Sequence, residues 1–317
     1  MRVAKAQSAM EYLMTYGWAI LVIAIALGVL YYLGIFNGIA SAPRAQPGSC
    51  QVFRPNGPDT TTDINLEGAC NNELPEYVAQ FNGNSYVEVT FQNAANGGIG
   101  CQGCYNTDSN QQFGTYIPQT NETFVMWFAT TNTGGIQEVS NAGCDRILWV
   151  NASSGGFEFN TWSEVDFPSG GGSRIANGKW HMLAYVLDPH VGFFAYIDGK
   201  PYANDTASTN CGFTGCSGFD WATMYYIGNG NGCRGGSNGA GFNGDIADAQ
   251  LYGTALGANE INALYMEGIG GVPINLQSLI GWWPLNGNSN DYSGNMNQGS
   301  GTGVSYSSSW ASGYTAP

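Results

Sequence analysis

Hydrophobic positions follow two different patterns along this chain, and the first pattern fills its N-terminal part. From Tyr12 to Phe36 no residue is charged, and Leu21–Leu30 is apolar on every side of a helix. A helix that is apolar all round is not the surface helix of a globular domain, and roughly 20 helical residues cross a bilayer core. The pattern therefore predicts one long hydrophobic α-helix over 7–37 that acts as a transmembrane segment.

The second pattern begins near residue 76 and consists of short alternating runs separated by Gly- and Asn-rich turns. The runs are rich in Tyr, Phe, Trp and Val, which is typical of β-strands. They lie at 77–81, 86–91, 123–129, 146–150, 156–160, 179–188, 192–197, 224–228 and 244–252. One helix over Ala258–Glu267 interrupts them and ends at Gly268. This series predicts an all-β jelly-roll sandwich over 76–317, preceded by a stalk and an irregular segment over 38–75.

Composition narrows the partners of the predicted sandwich. The chain has 317 residues, a net charge of −14 and no basic cluster, so we expect no nucleic-acid partner. Aromatic residues make up 13% of the chain, which is too many for a disordered segment.

Eight cysteines follow the predicted membrane helix, and an extracytoplasmic chain can keep disulfides. They are Cys50, Cys70, Cys101, Cys104, Cys144, Cys211, Cys216 and Cys233. Their pairing cannot be deduced from the sequence. For Cys101 and Cys104 a zinc half-site or a redox pair is the rival, but the chain has no second CxxC and no nearby His. Three sequons, at Asn121, Asn151 and Asn204, are predicted glycosylation acceptors.

The residues around the start of the predicted helix carry its chemistry. Arg2 and Lys5 precede it, so the positive-inside rule places the chain after the helix outside the cell. Glu11 lies at the mouth of the apolar run, where a carboxylate is costly and points to a function. If the chain is cut between Ala6 and Gln7, the new amine could pair with Glu11 of a neighbouring subunit. A cleaved secretory signal would have a shorter apolar core.

The stretch Gln7–Leu21 resembles the class III signal peptide region of archaeal type IV pilin-like proteins. That family is cut before a Gln, keeps its apolar helix and has Glu at the fifth mature position, here Glu11. Ala6 stands where the family usually has Gly. The resemblance implies that residues 1–6 are removed by a prepilin-type peptidase and that Glu11 serves assembly with other pilin-like subunits. A plain membrane anchor is the alternative.

Four landmark strands of the second part resemble, in the same order, those of laminin-G-like (LamG-like), concanavalin-A-like domains. They are Phe81–Val89, Trp180–Ala184, Tyr196–Gly199 and Phe242–Tyr252. Gly281–Asn295 resembles the strand that usually opens such a domain, yet it stands near the C-terminal end of this chain. Either the domain is circularly permuted, with 281–317 completing the sheet, or a truncated second domain begins there; the segment is too short for a sandwich.

The jelly-roll class includes glycoside hydrolases, so we looked for a pair of catalytic acids. A retaining glycosidase needs two carboxyl groups about 5–5.5 Å apart. Glu164 and Asp166 share a strand face by alternation, but Pro168 and Ser169 occupy the positions where the partner acid would stand. No nucleophile signature is present, and we interpret His181 as a packed or hydrogen-bonded side chain. We therefore expect no enzyme.

A calcium site is the one metal centre that the sequence suggests. Asn288, Asn290 and Asp291 lie in a loop dense in oxygen ligands, which suit Ca²⁺. The laminin-G-like resemblance adds Asp248, although Ala247 replaces a second acid of the family. The alternative is a turn-rich loop held by Asx-type hydrogen bonds.

Together these features predict a cell-surface pilin-like adhesin or filament subunit. It would display its sandwich outside the cell membrane for recognition of glycans or of another cell surface. The alternative is a monomeric, membrane-anchored carbohydrate-binding protein, and a third hypothesis is an atypical glycoside hydrolase.

Overall fold

The computed structural model describes most of the chain in separate stretches. These are residues 4–32, 43–58, 60, 65–67, 73–90, 121–132, 134–140, 146–151, 156–160, 164–165, 175–188, 191–205, 224–228 and 241–317. The chain divides into two compact units, Met1–Ala42 and Pro43–Pro317.

The first unit contains helix α1 (Ala4–Tyr32), whose side chains are described at Met14 and over 16–32. Its described large apolar side chains are exposed, for example Trp18 at 69% and Ile20 at 66%. Among the described residues, no helix is both long enough and apolar enough to cross a membrane. The transmembrane segment expected over 7–37 is therefore not found there.

The second unit is built from strands and one further helix. The strands are β1 (Arg44–Ala45), β2 (Gln51–Phe53), β3 (Asn65–Glu67), β4 (Leu74–Pro75), β5 (Val78–Asn82), β6 (Tyr86–Thr90), β7 (Glu122–Ala129), β8 (Gly134–Ser140), β9 (Arg146–Asn151), β10 (Gly156–Asn160), β11 (Glu164–Val165), β12 (Trp180–Asp188), β13 (Gly192–Ile197), β14 (Lys200–Asp205), β15 (Met224–Ile227), β16 (Asn243–Tyr252), β17 (Leu279–Trp283), β18 (Gly299–Thr302) and β19 (Ser305–Ser307). Helix α2 (Ala258–Glu267) follows β16.

Two large sheets form the sandwich that the sequence predicted. The seven-stranded sheet has the order β11-β10-β9-β8-β15-β6-β18. The eight-stranded sheet has the order β14-β13-β12-β7-β16-β5-β19, with β17 paired to β16. Neighbouring strands in both sheets are antiparallel. The prediction of a jelly-roll sandwich is thereby confirmed.

Alternating residues of both sheets form the hydrophobic core between them. Phe124, Met126 and Phe128 of β7 meet Val87 and Val89 of β6, and all five side chains are buried. Successive side chains of a strand point to opposite faces, so the residues between the valines lie on the outer face of the seven-stranded sheet. The outer face of the eight-stranded sheet is covered, since Trp127 stacks on Tyr265 of α2 with centroids 5.7 Å apart.

The C-terminal segment 281–317 contributes strands to both sheets. Strand β17 pairs with β16, β18 with β6, and β19 with β5. Trp283 is fully buried, and its Nε1 donates a hydrogen bond to the Asn297 carbonyl over 2.9 Å. A Cβ at Gly281 would lie 2.1 Å from the Trp283 ring, so this strand requires glycine at that position.

The region predicted as a stalk and an irregular segment over 38–75 falls in the second unit from Pro43 onward. Arg54 anchors it and is 7% exposed. Its Nε donates to the Ser293 carbonyl over 2.8 Å, and its Nη2 donates to the Leu276 carbonyl over 2.9 Å. A buried guanidinium is tolerated only when its donors are paired. The partners lie far away in sequence, which is why this segment has no periodic pattern.

Candidate functional site

The outer face of the seven-stranded sheet carries a row of aromatic and acidic residues. Val87, Val89, Tyr225 and Ile227 point into the core and are fully buried, so their neighbours on β6 and β15 point outward. Tyr86, Glu88 and Tyr226 are all partly exposed there. We call these three residues the outer row.

Strand register brings the outer row together. Tyr226 stands directly opposite Glu88 in the β15–β6 pair. The rings of Tyr86 and Tyr226 meet edge to face, with centroids 5.7 Å apart and planes at 77°. On the flanking strands, Ser300 pairs with Glu88 and Glu138 pairs with Tyr226. Four adjacent strands therefore place Glu138, Tyr226, Glu88 and Ser300 at directly paired positions.

The chemistry of the outer row suits a hydroxyl-rich ligand. A tyrosine ring offers an apolar face and a polar tip, and the C–H face of a sugar can pack against that ring. An ionised carboxylate accepts strong hydrogen bonds from hydroxyl groups. Exposed Ser300 extends the line with a hydroxyl of its own.

A separate crevice lies on the other side of the sandwich, beside β16 and β17. Its free space is about 410 Å³, including the part open to solvent. It is lined by Ala45, Gln46, Gly48, Ser49, Cys50, Pro75, Asp248, Ile269, Gly270, Gly271, Trp282, Pro284, Asn286 and Tyr292. We call it the Asp248 crevice, because Asp248 is the one charged residue in this lining.

Asp248 is held by an irregular strand and by two side chains. The β16–β7 register shifts between Ala247 and Gln250, and Asp248 has φ of 51°, a strained value for a residue with a side chain. Its Oδ1 accepts a hydrogen bond from Trp282 Nε1 over 2.8 Å, and its Oδ2 accepts one from Gln250 Nε2 over 2.9 Å. Burial raises the pKa of Asp248 to about 7, although both hydrogen bonds favour the ionised form.

The two acids predicted to hold calcium, Asp248 and Asp291, both accept hydrogen bonds from Trp282, at opposite parts of that residue. Asp291 Oδ1 accepts from the Trp282 and Ser293 amides, and its Oδ2 accepts from Ser293 Oγ and the Asn297 amide. Asp248 instead contacts the indole end of Trp282. Among the described residues, no group of three or more His, Cys, Asp and Glu could hold a metal.

The loop around Asp291 matches the Asx-turn alternative. Asn288 Oδ1 accepts the Asn290 amide over 2.9 Å, and Asp291 Oδ1 accepts the Ser293 amide over 2.8 Å. Asn290 is exposed. Calcium binding stays a prediction, and a metal at Asp291 would have to displace the donors already bound there.

The other predicted residues fall in several places. His181 is packed as interpreted, and its Nδ1 lies 2.9 Å from Asp198 Oδ2. Cys50 is disulfide-bonded, and the other seven cysteines lie outside the described residues. Asn204 is exposed on β14.

The remaining predicted residues are located by the strand or helix in which they lie. Asn121 is partly buried just before β7, and Asn151 ends β9. Ala6, Gln7 and Glu11 lie within α1, which begins at Ala4. Glu164 is in the short strand β11, while Asp166 lies outside the described residues.

Sequence reasoning missed the outer row. In the sequence Tyr86 and Glu88 alternate with Val87 and Val89, and this alternation predicts that the side chains of Tyr86 and Glu88 point outward. Nothing local shows that Tyr226 pairs with Glu88, because the two positions are far apart along the chain and register is set by the whole sheet.

The family comparison agrees with this architecture. Residues 104–262, half of the chain, match the family model Laminin_G_3, described as the Concanavalin A-like lectin/glucanases superfamily. The chain belongs to this superfamily, and the resemblance seen in its landmark strands is confirmed. No curated protein sequence matches the chain.

Solved structures with similar folds share little sequence with this chain. A candidate carbohydrate binding protein from Bacteroides ovatus is 14% identical, with a TM-score of 0.47; the match covers 78% of this chain and 64% of that one. A heptameric SAP-like pentraxin from Limulus polyphemus is 13% identical, with a TM-score of 0.42 and coverage of 73% and 94%. Domains LG4-5 of the mouse laminin alpha1 chain are 15% identical, with a TM-score of 0.38 and coverage of 59% and 45%.

Proposed function

We propose that this protein is a carbohydrate-binding protein and that it binds sugar through the outer row. The observation that carries the proposal is the alignment of Tyr86, Glu88 and Tyr226 on the open face of the seven-stranded sheet. Membership of a superfamily named for lectins and glucanases supports the same class of ligand.

The geometry favours a sugar over an apolar ligand. The two tyrosine rings are only partly exposed and are held edge to face, so they lose little freedom when a ligand packs on them. Glu88 stands between Tyr226 and Ser300 on adjacent strands and supplies acceptors for hydroxyl groups. Binding without hydrolysis is the proposed role.

The test is binding of the full chain to a panel of neutral polysaccharides by affinity electrophoresis and calorimetry. Substitution Tyr226→Ala should weaken binding about tenfold, because a packed ring contributes on that scale. Glu88→Gln should weaken it less, since an amide still accepts one hydrogen bond. Tyr196→Ala is the matched control, because Tyr196 is a partly exposed tyrosine on a strand of the other sheet.

Two results would contradict the proposal. One is the absence of binding to every glycan tested, and the other is equal binding by wild type and Tyr226→Ala. Release of reducing sugar from a bound polysaccharide would instead favour the hydrolase hypothesis.

We also propose that α1 displays the sandwich at the outer cell surface as a pilin-like subunit. The support is the helix itself, whose described apolar side chains are exposed around it, including Ile25 at 59% and Val29 at 51%. Contiguous apolar surface of this kind marks an interaction site. In this proposal a prepilin-type peptidase cuts between Ala6 and Gln7, and α1 packs against helices of other subunits. A monomer anchored to the membrane through the same helix is the alternative.

Reading the N-terminus of the native protein tests this second proposal. A start at Gln7 in material sheared from the cell surface is the expected result. Glu11→Ala should remove the protein from that fraction, while Glu267→Ala, at the exposed end of α2, should not. A start at Met1 found only in membranes would contradict filament assembly and favour the anchor.

A further inference from the structure

We infer that the Asp248 crevice binds the ammonium group of a small primary amine. This inference does not depend on the outer row or on sugar binding, because the crevice is lined by different residues.

The first argument is an uncompensated charge. Asp248 is 4% exposed, and the described residues that line the crevice include no Lys, Arg or His. Among the described residues, no cationic side chain forms an ion pair with Asp248. Arg44 lies over the Trp310 ring instead, 5.0 Å from its centroid. A buried carboxylate without a cation is costly, and an ammonium ligand would supply the missing charge.

The second argument is the free hydrogen-bonding capacity of Asp248. Each of its oxygens accepts one hydrogen bond, from Trp282 Nε1 and from Gln250 Nε2. A carboxylate can accept about four in all, so it can still accept N–H groups of a ligand. Both existing donors are neutral, and burial without a cation raises the pKa of Asp248 to about 7.

The third argument is the chemistry of the walls. Trp282 and Tyr292 also line the crevice, and Trp282 directs its indole N–H toward the carboxylate. Gln46, Gly48 and Ser49 line the crevice and are exposed, so a ligand can approach from solvent on that side. A buried carboxylate favours an organic cation over a sugar hydroxyl, because the cation supplies the opposite charge.

A metal ion fits the crevice less well than an ammonium group. Ca²⁺ takes about six to eight oxygen ligands, whereas Asp248 is the one carboxylate in the crevice lining. Both carboxylate oxygens of Asp291 already accept hydrogen bonds, from the Trp282 amide of β17 and from N–H and O–H groups of the loop. An ammonium group needs only a few acceptors and an apolar surround for its carbon chain.

Equilibrium dialysis of the full chain against radiolabelled ethylamine tests the inference. The experiment is run at mildly alkaline pH, where Asp248 is ionised and the amine is still protonated. We expect one saturable site, and ethanol at the same concentration should compete at least about tenfold less well because it lacks the charge. Glucosamine and glucose are compared as competitors of ethylamine in the same way. Stronger competition by glucosamine than by ethylamine itself would identify an amino sugar, and not a free amine, as the source of the ammonium group.

Three variants make the experiment specific to the crevice. Asp248→Asn should weaken ethylamine binding about tenfold or more, because the charge-assisted hydrogen bonds are lost. Asp245→Asn is the matched control, since Asp245 lies on the same strand but does not line the crevice. Ser49→Trp narrows the mouth without touching the carboxylate and should also abolish binding.

Each outcome of these binding measurements either supports or overturns the inference. Equal ethylamine binding by wild type, Asp248→Asn and Ser49→Trp would overturn the inference and indicate general attraction to an acidic surface. Equal competition by ethanol would also overturn it. If Asp248→Asn does not fold, the Ser49→Trp variant and the amine–alcohol comparison still decide the matter.

Discussion

Trp282 and Asp248 are joined by a hydrogen bond of 2.8 Å between the indole Nε1 and Oδ1. The backbone amide of the same tryptophan donates to Asp291 Oδ1 over 3.0 Å. One residue of β17 therefore connects the bulge of β16 to the Asx-rich loop that follows it. This connection explains why the displaced C-terminal segment is an integral part of the sandwich.

Asp291 should be the most sensitive polar residue of that loop. It is buried and accepts hydrogen bonds from three backbone amides and one hydroxyl. Asp291→Ala leaves these donors without an acceptor, so we expect a loss of about 3 kcal/mol in the free energy of unfolding. Urea unfolding followed by tryptophan fluorescence measures it. Exposed Asn290→Ala is the control and should change stability by less than about 0.5 kcal/mol.

Two buried tyrosines provide a matched pair with opposite expected effects. Tyr225 is fully buried in the core, and its hydroxyl has no hydrogen-bond partner among the residues that the structure describes. Burial, and then the charge of Glu122, raise the pKa of this hydroxyl. Tyr225→Phe removes an unsatisfied polar group, so we expect a gain of about 1 kcal/mol in the free energy of unfolding.

Tyr252→Phe should have the opposite sign. The Tyr252 hydroxyl donates to Gln250 Oε1 over 2.5 Å, and its removal leaves a buried acceptor unpaired. We expect a loss of about 1 kcal/mol, measured by thermal and urea unfolding of both variants together. A loss of stability in Tyr225→Phe would show that its hydroxyl has a partner.

The strands were predictable because alternation is a local property. Alternation predicts a single strand over 179–188, and β12 covers all of it except the first residue. The tight turn at Asp198 and Gly199 was read from the dipeptide alone, and both residues have positive φ. By contrast, the bulge that turns Asp248 toward the crevice leaves no mark in an alternating sequence. The packing of Arg54 depends on carbonyl groups more than two hundred residues away.

Asp248 should make the stability of the sandwich depend on pH. The folded-state pKa of about 7 lies above the ordinary value of 3.8, so between these values the folded protein binds more protons than the unfolded chain. Stability from this group therefore falls as pH rises through that interval, by on the order of 4 kcal/mol in total. Asp248→Asn cannot titrate. The difference in unfolding free energy between wild type and this variant should change across the interval, and a constant difference would contradict the raised pKa.

Trp310 should hold the C-terminal tail onto the eight-stranded sheet. It is 3% exposed, and its Nε1 donates to the Pro75 carbonyl over 3.2 Å. Its own carbonyl accepts from Trp180 Nε1 over 3.1 Å. Trp310→Ala opens a cavity and removes one of the two donors to the Pro75 carbonyl, the other being Arg44 Nη1, so we expect a loss of about 3–5 kcal/mol in the free energy of unfolding.

Limited proteolysis and urea unfolding check this last expectation together. Loss of the Trp310 side chain should expose the tail, so cleavage after the substitution should begin near the C-terminal end of the chain. Exposed Met296→Ala is the control, because Met296 is 53% exposed. If Trp310→Ala unfolds at the same urea concentration as wild type, the tail does not stabilise the sandwich. If cleavage instead starts within β16 or α2, the tail and the sheet unfold as one cooperative unit.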